Sequence, residues 1–188
     1  MRLADQLTLA RIAAVPLVVL LYEWDFANHD AVATAAFAVA MATDFFDGRI
    51  ARSRGDTSAL GSLLDPVADK ILVLSVLIVL VDRGVFLGWM VVAIVARELL
   101  ISGLRLAALE RGVVVQARDL GKVKTWAQAA AAAIGGLAAA GAWSEDVALW
   151  SLAVALVLTW LSALDYARGA PAIFRARSSL AARRQALS

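Results

Sequence analysis

The sequence predicts an all-α integral membrane protein with six transmembrane helices and a short interfacial helix at its N-terminus. Three observations carry this expectation. The 188 residues are 62% hydrophobic with a mean hydropathy of +0.77, whereas a soluble domain is nearer half apolar. The apolar residues come in long blocks, as a lipid solvent selects. The charged residues between the blocks segregate by sign.

Taken in order, Leu3, Leu7 and Ile12 interleave with Arg2, Asp5, Gln6 and Arg11. That pattern predicts a helix over residues 1–8 lying on the membrane surface. Arg2 ahead of the apolar run Ile12–Tyr22, with Ala31-Val32-Ala33 beyond, partly imitates a cleavable signal peptide. Arg11 stands too close to the run, and similar blocks follow throughout, so retention is expected. Spans are read at Leu9–Tyr22, Ala31–Arg52, Pro66–Val81, Phe86–Leu109, Thr125–Ala142 and Val147–Tyr166. No connection between them has room for a second domain, so residues 1–188 are read as one domain.

The first, third and fifth connections hold Glu23, Asp25, Asp30, Asp82, Glu145 and Asp146 against a single cation, Arg83. The other side carries Arg49, Arg52, Arg111, Arg118, Lys122 and Lys124, and the Arg-rich tail beyond Arg168. The positive-inside rule then puts both termini in the cytoplasm. Residues 168–188 are expected to be a basic cytoplasmic tail that anchors topology and is otherwise disordered. The absence of cysteine excludes disulfides, thiolate zinc sites and cysteine nucleophiles. The sole histidine, His29, lies in a polar stretch between apolar blocks, which argues against Ser-His-Asp chemistry. A net charge of +2 gives no global field for nucleic acid.

Four carboxylates then demand an explanation. Asp44 and Asp47 stand near the end of the second span, and Asp65 and Asp69 open the third. Unpaired and fully buried, they would cost on the order of 10 kcal/mol. Their i,i+3 and i,i+4 spacings put each pair on one helix face. Two antiparallel helices joined by a short loop can gather all four at the cytoplasmic interface. Hard oxygen ligands at this density suit Mg²⁺ or Mn²⁺, with room for two ions roughly 3.5–4 Å apart. Gly48, Ala51 and Gly61 keep the surrounding helix faces small, as ordinary helix packing also would. A second polar group comprises Arg97, Glu98, Arg105, Lys122, Lys124 and Thr125. Arg97–Glu98 reads as a structural ion pair and Lys122 and Lys124 as topology anchors. Arg105, in an apolar context, is a candidate phosphate ligand.

The segment Asp44-Phe-Phe-Asp47-Gly48-Arg-Ile-Ala51-Arg52, then Gly61, Asp65 and Asp69 at spacings of nine, four and four, resembles the signature of the CDP-alcohol phosphatidyltransferases. Further stretches resemble the branch of CDP-diacylglycerol–glycerol-3-phosphate 3-phosphatidyltransferases (phosphatidylglycerophosphate synthases). These are Leu7-Thr8-Leu-Ala-Arg11, Asp65-Pro-Val-Ala-Asp69-Lys, Arg97-Glu98-Leu-Leu-Ile-Ser-Gly-Leu-Arg105 and Gly121-Lys122-Val-Lys124-Thr125. The likeness runs to about Thr125 and beyond that is one of hydropathy alone. A Pro-Asn pair usual before Leu7-Thr8 is here Asp5-Gln6.

The resemblance implies transfer of a phosphatidyl group from CDP-diacylglycerol to glycerol 3-phosphate, giving phosphatidylglycerophosphate and CMP. It implies that Asp44, Asp47 and Asp65 ligate two Mg²⁺ or Mn²⁺ ions, and that Asp69 is both a ligand and the general base. Gly48, Ala51 and Gly61 would border the cytidine, with Arg52 supporting the diphosphate. Thr8 and Arg11 would lie near the nucleotide or acceptor, and Arg105, Lys122 and Lys124 would hold the acceptor phosphate. It further implies a homodimer in a bacterial-type inner membrane with its active site at the cytoplasmic face. Within the family, acceptors such as inositol phosphate, serine or phosphatidylglycerol remain open. A UbiA-like prenyltransferase would space its aspartates differently. A divalent-cation transporter would need polar groups in both halves of the bilayer, whereas these lie on one side.

Overall fold

The structure, a computed structural model, describes the backbone of residues 3–53, 59–110 and 119–185, and side chains within 10–43, 68, 70–108 and 120–168. Among the described residues all regular structure is helical: α1 (Leu3–Glu23), α2 (His29–Ser53), α3 (Ala59–Asp82), α4 (Gly88–Glu110), α5 (Asp119–Ala139) and α6 (Glu145–Gln185). The six expected spans fall on these six helices in order. Two expectations about the ends are corrected. The surface helix over 1–8 is no separate element, because α1 runs unbroken from Leu3 to Glu23. Nothing in Thr8-Leu-Ala-Arg-Ile-Ala-Ala can break a helix, and the one proline, Pro16, lies a further turn on. Nor does order stop at Arg168, because α6 continues to Gln185. At 1.5 Å per residue its 41 residues reach about 62 Å, twice a bilayer core.

The connections on the acidic side are tight, and specific residues make them so. Gly84 (φ 75°) and Gly141 (φ 71°) take the left-handed conformation that ends a helix. Behind Gly84, the Val85 amide donates to the Leu80 carbonyl (3.1 Å) and the Gly84 amide to that of Val81 (3.0 Å). Gly141 repeats the pattern through Ala142 to Leu137 and Gly141 to Ala138, both 2.9 Å. Ser144 then caps α6, its hydroxyl accepting from the Val147 amide at 3.3 Å, with Glu145 and Asp146 in the first turn opposing the helix dipole. Arg83, the one cation of these connections, bonds the Tyr22 carbonyl at the end of α1 and lies 3.7 Å from Asp30 of α2. It ties three helices together.

Packing is organised around α5, which touches α2, α3 and α6, while α1 lies across α2 and α3, and α4 bridges α3 and α6. Ala129, Ala131 and Ala132 are buried on α5, so neighbouring helices approach closely. Val18, Tyr22, Phe37, Leu72, Leu77, Ile94 and Leu152 fill the core. Where α5 is closest to its neighbours it carries glycine. A Cβ at Gly135 would stand 2.5 Å from Phe86 Cζ and 2.8 Å from Leu80 Cδ1. One at Gly136 would strike Thr34 Oγ1 and Tyr22 Oη, which hydrogen-bond each other at 3.0 Å.

The outer faces are as apolar as the core. Leu20, Val39, Ile78, Val92, Leu99, Val154 and Val157 are all exposed, as are Trp24, Trp89 and Trp150. Among the described residues one segment, Glu145–Arg168 of α6, is long and apolar enough to cross a membrane, with mean hydropathy 2.1. In α4 the run is interrupted by Arg97, Glu98 and Arg105.

Replacing Gly135 by alanine should destabilise the protein by about 1 kcal/mol net. Overpacking against the stiff Phe86 ring costs about 1–3 kcal/mol, and alanine's better helix propensity returns about 1 kcal/mol. Thermal unfolding of the detergent-purified protein measures the difference, and a raised Tm would contradict the packing.

Candidate functional site

The signature aspartates fall on two consecutive helices. Asp44 and Asp47 lie within α2 and Asp65 and Asp69 within α3, so the helical register that the i,i+3 and i,i+4 spacings require is present. Both pairs sit inside the helices: α3 begins at Ala59, six residues before Asp65, because Ala59-Leu-Gly-Ser-Leu-Leu64 is itself helical. Five residues join Ser53 to Ala59, a reach of at most about 20 Å. Asp47 and Asp65 each lie about 9 Å of helix from that connection. Chain connectivity therefore brings the two pairs to one end of the molecule. The side chains of Asp44, Asp47, Asp65 and Asp69 lie outside the described residues, as do those of Thr8, Arg52 and Ala51 and the surroundings of Gly48 and Gly61. Among the described residues no group of three or more acidic, histidine or cysteine side chains forms a metal site. The donor set itself is oxygen only, on paired helical registers, and fits a hard divalent cation.

The second polar group resolves into a buried network centred on Glu98, whose side chain is 2% exposed. Its Oε1 accepts from Arg97 Nη1 (2.9 Å), from Gln128 Nε2 (3.3 Å) and from Lys124 Nζ. Oε2 lies 3.6 Å from Lys70 Nζ. Lys70 donates to Ser102 Oγ (2.5 Å), and that hydroxyl donates to the Glu98 carbonyl (2.6 Å). Arg97 Nη2 reaches Ser162 Oγ (3.0 Å), and Gln128 also donates to Thr159 Oγ1 (2.8 Å). One carboxylate thus joins α3, α4, α5 and α6. It also fixes α3 at Lys70, the residue after Asp69.

The expected acceptor residues divide. Lys124 is buried and its ammonium is committed to Glu98. Arg105 and Lys122 are exposed, near the end of α4 and in the first turns of α5. Those helix ends are joined to each other, and lie at the same end of the fold as the aspartates. Arg11, expected near the nucleotide or the acceptor, is buried on α1. The pairing of Arg97 with Glu98 is structural, as its adjacency suggested. Lys70, Ser102, Gln128, Thr159 and Ser162 were not singled out in the sequence. Gln128 and Thr159 carried a legible signal, since an isolated polar side chain in an apolar helix needs a partner.

The model of the CDP-alcohol phosphatidyltransferase family matches residues 1–161, most of the chain. The chain belongs to this family. It is 41% identical over 138 residues to the CDP-diacylglycerol–glycerol-3-phosphate 3-phosphatidyltransferase of Bacillus subtilis, covering 67% of this chain and 72% of the relative. It is 40% identical over 167 residues to a probable phosphatidylglycerophosphate synthase of Mycobacterium tuberculosis, covering 87% and 79%. A Blochmanniella floridana protein named like the first is 37% identical over 165 residues, covering 85% and 86%. This CDP-alcohol phosphatidyltransferase is thus a transferase of a family typically membrane-bound and dependent on divalent metal.

In this family member the Glu98 network is expected to hold α3, α4, α5 and α6 together. Glu98→Ala strands Arg97, Lys124 and Lys70 without their counter-charge, a loss of about 3–5 kcal/mol by analogy with broken buried ion pairs. Yield of monodisperse protein and its Tm are the measurements. A Tm equal to wild type would show that water or lipid already compensates these cations.

Proposed function

We propose that the chain transfers a phosphatidyl group from CDP-diacylglycerol to glycerol 3-phosphate, giving phosphatidylglycerophosphate and CMP in phospholipid biosynthesis. The observation that carries the reading is the placement of the signature aspartates on α2 and α3 at the end of the fold where α4 and α5 present Arg105 and Lys122. The relatives' names support the two substrates. The exposed leucines, valines and tryptophans support six membrane-spanning helices, since water would not tolerate so much contiguous apolar surface. Both termini and the site then face the cytoplasm of a bacterial-type inner membrane, and the protein works as a homodimer.

Asp44, Asp47, Asp65 and Asp69 hold divalent metal, Mg²⁺ or Mn²⁺, in two positions. Held by these carboxylates, such ions would supply charge neutralisation at the diphosphate, which makes CMP a better leaving group. Gly48, Ala51 and Gly61 leave room for the cytidine, Arg52 supports the diphosphate, and Thr8 and Arg11 border the nucleotide. Asp69 takes the proton from the acceptor hydroxyl as its oxygen attacks the β-phosphorus in line and the bond to CMP breaks. Arg105 and Lys122 draw in the acceptor phosphate, with Lys124 held behind them by Glu98. A cationic grip is needed because an anionic acceptor must approach four carboxylates. A site poor in water would let an alcohol outcompete hydrolysis.

Release of CMP from CDP-diacylglycerol should require both glycerol 3-phosphate and Mg²⁺ or Mn²⁺, and full activity in EDTA would defeat the metal assignment. Asp69→Asn should lose about 10²–10⁴-fold in kcat while still binding CDP-diacylglycerol, because three carboxylates remain. Turnover within a few-fold of wild type would move the base elsewhere. Arg105→Ala should raise the KM for glycerol 3-phosphate and leave that for CDP-diacylglycerol unchanged. Robust turnover of serine or inositol phosphate, with none of glycerol 3-phosphate, would sink the acceptor assignment.

A further inference from the structure

Lys70 has no task in the reaction as described, yet α3 sets it directly after Asp69, at the level of the proposed base. Its ammonium lies 2.5 Å from Ser102 Oγ and 3.6 Å from Glu98 Oε2, the second contact being too long for a hydrogen bond. Glu98 meanwhile accepts hydrogen bonds from Arg97 and Lys124 through its other oxygen. One carboxylate faces three cations, and Lys70 has the poorest share of it. Its side chain is 33% exposed, against 9% for Lys124 and 3% for Arg97. Arg105 stands three residues beyond Ser102, hence on the same face of α4, and its charge bears on Lys70. Two like charges held on facing helices repel each other until an anion joins them.

We propose that Lys70 is a specificity-determining residue for the acceptor, forming with Arg105 a clasp for its phosphate. The Ser102 hydroxyl aims the Lys70 ammonium. Lys124 is a positioning residue that keeps Glu98 occupied, so that Lys70 is not fully neutralised. The assignment rests on the reading of the reaction given above and names its acceptor subsite. The adjacency of Asp69 and Lys70 suits an alcohol whose attacking hydroxyl and phosphate are separated by a short carbon chain. A neutral polyol brings nothing to neutralise the clasp, and is discriminated against on that ground.

The test uses the full chain in lipid–detergent micelles and follows CMP release while each substrate is varied at saturating concentration of the other. Lys70→Met should raise the KM for glycerol 3-phosphate about tenfold or more, and leave the KM for CDP-diacylglycerol within about twofold. Lys70→Arg should restore most of the loss, and Lys70→Met should narrow the preference for glycerol 3-phosphate over free glycerol. Lys70→Gln keeps a polar end against Ser102, and the same split is required of it should the methionine variant fail to fold. An unchanged KM for glycerol 3-phosphate in a folded variant overturns the clasp, as does a rise confined to CDP-diacylglycerol. A wild-type protein that does not use glycerol 3-phosphate at all overturns the functional reading itself, a different result from either.

Discussion

The mutual register of α3, α4, α5 and α6 is set around one buried carboxylate. Glu98 collects Arg97, Lys124, Gln128 and Lys70 from three helices besides reaching α6 through Arg97 and Gln128. A buried ion pair is weak evidence of stability, because desolvation cancels most of its attraction. Its worth here is geometric. Packing of leucine and alanine faces permits helices to slide or rotate by small amounts, whereas three donors converging on one carboxylate oxygen, with the Lys70 ammonium 3.6 Å from the other, accept a single register. The helix carrying Asp65 and Asp69 is therefore keyed to those carrying Arg105 and Lys122.

A division of labour between the two ends follows. The acidic connections are closed by Gly84, Gly141, Ser144 and Arg83 into short, hydrogen-bonded turns. The opposite end carries the eight-residue α4–α5 connection and the residues proposed for the site. The glycine pair on α5 belongs to the same design, since Gly135 and Gly136 bring α5 against Phe86, Tyr22 and Thr34 with no side chain between. Small residues at helix contacts gain van der Waals packing where lipid offers no hydrophobic driving force.

Much of this was legible in the sequence, for physical reasons that also explain what was missed. Long apolar blocks announced the helices, and the spacing of Asp44, Asp47, Asp65 and Asp69 announced paired faces on two of them, because periodicity and carboxylate density are local properties. Helix ends were less readable. The stretch after Arg168 looked like a solvated tail, yet α6 runs on to Gln185, since charge alone does not stop a helix. The first residues looked like a separate surface element but continue into α1. Pairing across helices was least readable of all. Lys124 read as a topology anchor, and by resemblance as a phosphate ligand, while its pairing with Glu98, 26 residues away in sequence, gave no local signal; Lys70 appeared only as the end of a quoted stretch.

Arg83 has a bearing on how such a chain is assembled. On the six-span reading proposed above, this cation crosses with the α3–α4 turn, at an insertion cost of about 3 kcal/mol if it travels alone. Its two partners, the Tyr22 carbonyl and Asp30, both precede it in the chain. Synthesis from the N-terminus therefore delivers the receptor before the guanidinium arrives. Arg83 thereby links the α3–α4 turn to the end of α1 and the start of α2.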